Sequence, residues 1–169
     1  MNKKIFEKKE IANFHIPRWE ELPNIDLYLD QVVCFIDEFL SNYIDTDKDK
    51  HVITKTMINN YVKHKVINPP LNKKYNKEHI ASLFAISILK QLYSISDISK
   101  LINIALEKNS PQIVYDKFCD ELENAINIIF AGDKYTNNIE NLSFDIYSLR
   151  NLAFSFANKL YVEKVYLKK

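Results

Sequence analysis

Between Lys55 and Tyr75 the chain concentrates side chains that can grip phosphates and read base edges. Lys55, Asn59 and Lys63 fall in one i, i+4 row and Thr56, Asn60 and His64 in the next, so a helix over 55–64 would show one face made wholly of hydrogen-bonding groups. Asparagine can pair bidentately with adenine in the major groove, while lysine, threonine and histidine can reach guanine edges or phosphates. The other side of that helix carries Met57, Ile58, Tyr61 and Val62, and Thr54 is placed to cap its start. Lys65 follows, then Pro69-Pro70, which cannot continue a helix, then Asn72-Lys73-Lys74-Tyr75, a basic tip bearing an aromatic ring. The pattern predicts a recognition helix over 55–64 and a basic wing over 68–77. In this reading Thr56, Asn59 and Asn60 meet base edges, Lys55, Lys63, His64 and Lys65 hold flanking phosphates, and Lys73, Lys74 and Tyr75 meet the neighbouring backbone.

Charge distribution points the same way. The stretch from His51 to Lys77 holds six lysines and neither aspartate nor glutamate. With Lys50 that is seven positive charges in a chain whose formal total is +1, so the remaining residues sum to −6. A basic segment set into an otherwise acidic protein is the electrostatic footprint of a phosphate-binding surface, and the near-neutral total conceals it. Elsewhere the charged residues mix signs, as a solvated surface does.

The elements that must position this segment read as helices. The chain has 169 residues, 47% of them hydrophobic, with one glycine and five prolines, enough to fill a core with few helix breakers. Helices are expected over about 26–43, with Leu29, Val32, Val33, Ile36, Phe39, Leu40 and Tyr43 inward; over 76–93, apolar on nearly every side; from Ser94 through Leu106; from the Ser110-Pro111 cap pair to Gly132; and from Ser143 through Leu160. The two C-terminal helices must bury their apolar faces, either within the chain or in a homodimer whose two-fold axis would suit a palindromic site. The expected division is a strap over 1–24, a DNA-binding region over 25–107 and a helical extension over 108–169.

Ile58-Asn59-Asn60-Tyr61, the Val66 to Pro70 turn and Lys73-Lys74-Tyr75 resemble the helix, turn and wing of MerR-type regulators, with Leu83, Ile86, Leu89, Leu92 and Ile95 to Leu101 resembling that fold's next two helices. The chain departs from that pattern at Asn59 and Asn60, where those proteins carry arginine and tyrosine, so the lysines must supply the phosphate contacts. A second resemblance, over about 14–106, is to the bacterial family called domain of unknown function 1836. It rests on Phe14, Pro17-Arg18-Trp19, Leu22-Pro23, Ile25, Leu27-Tyr28 and Asp30-Gln31-Val32, on Thr54-Lys55, Met57-Ile58-Asn59-Asn60-Tyr61-Val62-Lys63, and on the Lys73-Lys74-Tyr75 tip. Members of that family are regarded as transcriptional regulators, and the resemblance implies the same here.

Other chemistries find less in the sequence. Cys34 and Cys119 are isolated, which fits a reducing compartment without a disulfide framework and gives no cysteine metal loop. The alternating aspartates of 45–50 lack the glycine and closing glutamate of a calcium loop. The histidines His15, His51, His64 and His79 lack metal spacing, and no Gly-rich phosphate loop or nucleophile with an evident base is present, so no catalytic residues, metal or cofactor are expected. The basic N-terminus lacks the apolar core of a signal peptide, and no apolar run reaches the roughly 18–20 residues of a bilayer span. Arg18 and Trp19, inside a proline-bounded apolar strip, are the candidate edge of a pocket for an anionic or aromatic effector. The reading is a mostly α, cytoplasmic, non-enzymatic protein: a MerR-like winged helix-turn-helix followed by a C-terminal helical extension, binding double-stranded DNA as a homodimer. A protein-interaction module and a small-molecule sensor built on Arg18 and Trp19 are the alternatives.

Overall fold

A computed structural model describes residue 11 and residues 14–44, 51–131 and 144–167, with side chains in the last span from 147 onward. The protein is mostly helical. A short 3-10 turn, Trp19–Glu21, precedes strand β1 (Leu27–Tyr28) and helix α1 (Leu29–Leu40). Then come α2 (Lys55–Lys63), β2 (Lys74–Tyr75), α3 (Lys77–Leu89), α4 (Ile95–Leu106), α5 (Pro111–Ala131) and α6 (Phe144–Val162), the last followed by a π-helical turn, Glu163–Leu167. The aspartate-bearing stretch over 45–50, the Gly132 helix end and the Ser143 helix start lie outside the described residues.

Local chemistry starts these helices. Thr54 Oγ1 accepts from Met57 N at 3.3 Å, Asn76 Oδ1 from His79 N at 3.1 Å, Ser94 Oγ from Asp97 N at 3.2 Å and Ser110 Oγ from Ile113 N at 3.4 Å. Each satisfies an amide that the helix itself leaves open. Helix α1 begins later than expected, because Leu27 and Tyr28 are extended and pair antiparallel with β2, Leu27 with Tyr75 and Tyr28 with Lys74.

The chain forms two compact units. One is Pro17–Asp116; the other joins the described residues before Pro17 to those from Lys117 onward. The expected divisions at 24/25 and 107/108 both fall inside the larger unit. Its core is built on α3, where nine of thirteen residues are buried. Phe84, fully buried, meets Phe35 and Phe39 of α1 edge-on, with ring centroids 5.9 and 6.0 Å away. Amphipathic α4 buries Ile98 alone and leaves Ile104 and Leu106 exposed. In the smaller unit Leu122, Ala125 and Ile126 of α5 and Ala153, Phe156, Ala157 and Leu160 of α6 are buried, and Arg150 grips Glu121 through two hydrogen bonds of 2.9 and 3.1 Å. No helix among the described residues is long and apolar enough to cross a membrane.

Candidate nucleic-acid interface

Helix α2 has the two-sided character its sequence implies. Ile58 and Tyr61 are buried and Met57 and Val62 half-buried, whereas Lys55, Thr56, Asn59, Asn60, Lys63 and His64 are all exposed. Its C-terminus closes with a Schellman motif: Val66 N donates to Tyr61 O at 2.9 Å and Lys65 N to Val62 O at 3.0 Å. That motif places Lys65 in the left-handed region, at φ 57°.

The wing-like segment is a tight turn. Lys74 N donates to Leu71 O at 2.9 Å, and the central residues Asn72 and Lys73 have φ of 48° and 63°. Positive φ at both central positions is what a type I′ turn requires. Asparagine tolerates that region; lysine does so at a cost of about 1–2 kcal/mol, which glycine avoids. Lys65, Asn72 and Lys73 are the non-glycine residues with positive φ among those described, and all lie in the basic segment.

The small sheet then sorts the tip by side-chain alternation. Leu27 and Tyr75 are buried, while Tyr28 is exposed and carries the Lys74 ammonium 5.1 Å from its ring centroid. Tyr75, expected on the wing surface, is 3% exposed and packs edge-on against His79 at 5.5 Å, and burial pushes its hydroxyl pKa up. It supports the tip from beneath and is not available as a backbone contact. A two-residue Lys-Tyr strand carries no local signal of which residue turns inward.

Tertiary structure also brings acids to a segment whose sequence has none. Lys55 pairs with Asp30, in the first turn of α1. Since Tyr28 holds Lys74, one short stretch at the start of α1 touches both the opening of α2 and the basic turn, so it frames the two basic elements together. Asp37 binds the segment entering α2: one oxygen takes Val52 N at 2.7 Å and the other meets His51 Nδ1. From the opposite partner, Lys90 donates to Val52 O at 2.7 Å and lies 3.8 Å from Met57 Sδ; burial lowers its pKa. Lys77 donates to Trp19 O at 3.1 Å. Lys63, Lys65 and Lys73 remain exposed, with no ion pair to a described residue. Tyr28, Asp30, Asp37 and Lys90 were not legible as parts of this site, because each reaches it across 25 or more residues or through a fold contact that no local motif encodes.

Arg18 and Trp19 are half-buried and serve the strap. Arg18 N donates to Glu21 Oε2 at 2.7 Å, Trp19 N to Asp116 Oδ1 at 2.8 Å, and Gln112 reaches Glu20 at 3.3 Å. A concavity of about 430 Å³ lies along Leu27, Asp30, Cys34, Phe35 and Glu38, which include neither Arg18 nor Trp19. Cys34 is exposed there, as its place on the outer stripe of the helix implies.

The family described as Domain of unknown function (DUF1836) matches residues 17–118, three-fifths of the chain and nearly the extent of the larger compact unit. The chain belongs to the DUF1836 family. No curated protein and no solved structure matches it. The match encloses α1 to α4, β1 and β2, so every residue of the candidate interface is part of the DUF1836 unit.

Proposed function

We propose that this DUF1836 protein is a transcriptional regulator that binds double-stranded DNA through the polar face of α2 and the basic turn, in the manner of a MerR-like winged helix-turn-helix. The observation that carries the reading is the state of three lysines. Lys63, Lys65 and Lys73 are exposed and pair with no acid among the described residues, and two of them occupy left-handed positions where glycine would fit with less strain. Charge held at a conformational cost points to a use for the charge. Asn59, Asn60 and Thr56 are exposed on the same helix as Lys63 and supply amide and hydroxyl groups suited to base edges. The homodimer belongs to the same proposal, since a two-fold reader matches a palindromic site.

Titration of the full chain against labelled duplexes at two salt concentrations tests it. With Lys63, Lys65, Lys73 and Lys74 on phosphates, log affinity should fall with log salt at a slope of about −3.6 per protomer, roughly 0.9 for each phosphate neutralised. Lys63→Gln with Lys73→Gln should bring the slope near −1.8 and weaken binding to every sequence, while Asn59→Ala relaxes sequence preference at an unchanged slope. No binding at low salt ends the proposal.

A further inference from the structure

The basic turn carries an apolar side chain that the DNA reading has not used. Leu71 is 75% exposed, the highest value among the exposed large hydrophobic residues described. A single exposed leucine is ordinary on a protein surface. Here, however, it occupies the first position of a rigid, basic projection. Pro69 and Pro70, with fixed φ, precede it; Lys74 N closes the turn onto its carbonyl at 2.9 Å; and Asn72 and Lys73 complete the turn in left-handed geometry. The base of the loop is tied to α3 through Asn68 O, 3.1 Å from His79 Nε2. The projection is therefore shaped before any partner arrives.

An apolar side chain flanked by an amide and an exposed ammonium matches a target that is apolar at its centre and anionic at its rim. A base-pair step between two phosphate backbones has that character, and proteins that enter the minor groove insert leucine, isoleucine or proline wedges there to unstack and kink the duplex. An anionic bilayer has it too, but one leucine buries far too little apolar surface to anchor a protein.

We propose that Leu71 is a wedge that enters a flexible base step and bends the DNA, with Lys73 holding the adjacent backbone. The proposal rests on the DNA-binding reading and specifies how that site engages the duplex. Pyrimidine–purine steps, which kink easily, are the preferred targets, and stiff A-tracts are disfavoured.

The test uses the full chain, a duplex with fluorophores at both ends and 2-aminopurine beside a central TA step. Binding should raise the 2-aminopurine fluorescence and shorten the end-to-end distance. Leu71→Ala should abolish both signals and weaken binding about tenfold at an unchanged salt slope, since burial of the leucine is set against the cost of unstacking. Leu71→Phe should keep the bend. The exposed position leaves folding intact in either variant, which thermal melting verifies. Tight binding by the wild type with neither signal, or equal signals from Leu71→Ala, overturns the wedge and leaves the DNA reading standing. Failure of every variant to bind duplex at low salt defeats the DNA reading itself. Leu71-dependent binding to phosphatidylserine vesicles without duplex bending overturns the wedge in favour of a lipid surface.

Discussion

Helices α2 and α3 follow one another in the chain, joined by the basic turn, and do opposite work. Helix α3 buries nine of its thirteen residues, among them Phe84, Ile86 and Ile88 at 0% exposure, while α2 buries only Ile58 and Tyr61. Even the polar Ser87 of α3 is enclosed, its hydroxyl returned to Leu83 O at 2.7 Å. Helix α3 therefore holds the unit together, and its side chains are fixed by packing. Helix α2 takes its placement from elsewhere: Thr54 caps it, Asp37 and Lys90 clamp the residues before it, and Asp30 meets its first lysine. The difference shows how a protein can free a helix face for recognition, by anchoring the helix at its entrance and along one narrow stripe.

Substitutions can break that contrast. The largest effect is expected at Phe84→Ala, which removes the ring shared with Phe35 and Phe39 and should cost about 3–5 kcal/mol, read as a lowered midpoint in urea. Exposed α2 positions such as Asn59 should stay within about 0.5 kcal/mol of wild type in the same measurement. An equal loss at both would mean that α2 is as deeply built in as α3.

A smaller effect of opposite sign is expected where the basic segment is strained. Lys65→Gly and Lys73→Gly each relieve a left-handed non-glycine residue, and after the entropy cost of glycine each should stabilise the protein by about 0.5–1 kcal/mol. Each should also weaken duplex binding. Stability and affinity moving in opposite directions would separate the charge of these lysines from any structural role, whereas a destabilised glycine variant would remove the strain argument.

Smaller still is the effect of the acid that folding brings to α2. The Asp30–Lys55 pair is exposed on both sides, and such pairs are worth about 0–1 kcal/mol. Asp30→Asn should free Lys55 and tighten duplex binding about two- to threefold at low salt, the gain fading as salt rises. Weaker binding would instead make Asp30 a positioning residue for the lysine.

The smallest effect concerns Lys90. Burial lowers its pKa in the folded state below the ordinary lysine value of 10.5, so the unfolded chain binds the proton more tightly. Stability should therefore rise with pH between the folded pKa and 10.5; the gain is complete above the unfolded value and is lost as pH falls through the folded one. Lys90→Met should flatten that part of the pH–stability curve, measured by urea titration. An unaltered curve would assign the slope to other groups.

What could be read in the sequence was local. The caps at Thr54, Ser94 and Ser110 and the amphipathic pattern of 55–64 appear in the structure where the residues imply, because a cap or a helical face is decided within three or four positions. The all-round burial of α3 followed from its continuous apolar composition. The extended Leu27 and Tyr28 were not legible, since two residues give no periodicity and their pairing partner lies near residue 75.

The sequence by itself thus determined the helical composition of this DUF1836 protein, the polar face of α2 and the concentration of lysines that marks the candidate interface. Tertiary structure decided which of those groups face outward unpaired. It turned Tyr75 into the core, set Lys74 over Tyr28, gave Asp30 to Lys55 and Trp19 O to Lys77, and left Lys63, Lys65 and Lys73 exposed with no acid partner among the described residues. The physical reason is range: helix propensity and capping act between neighbours in sequence, whereas burial and charge pairing are settled by groups that meet only after the chain has folded.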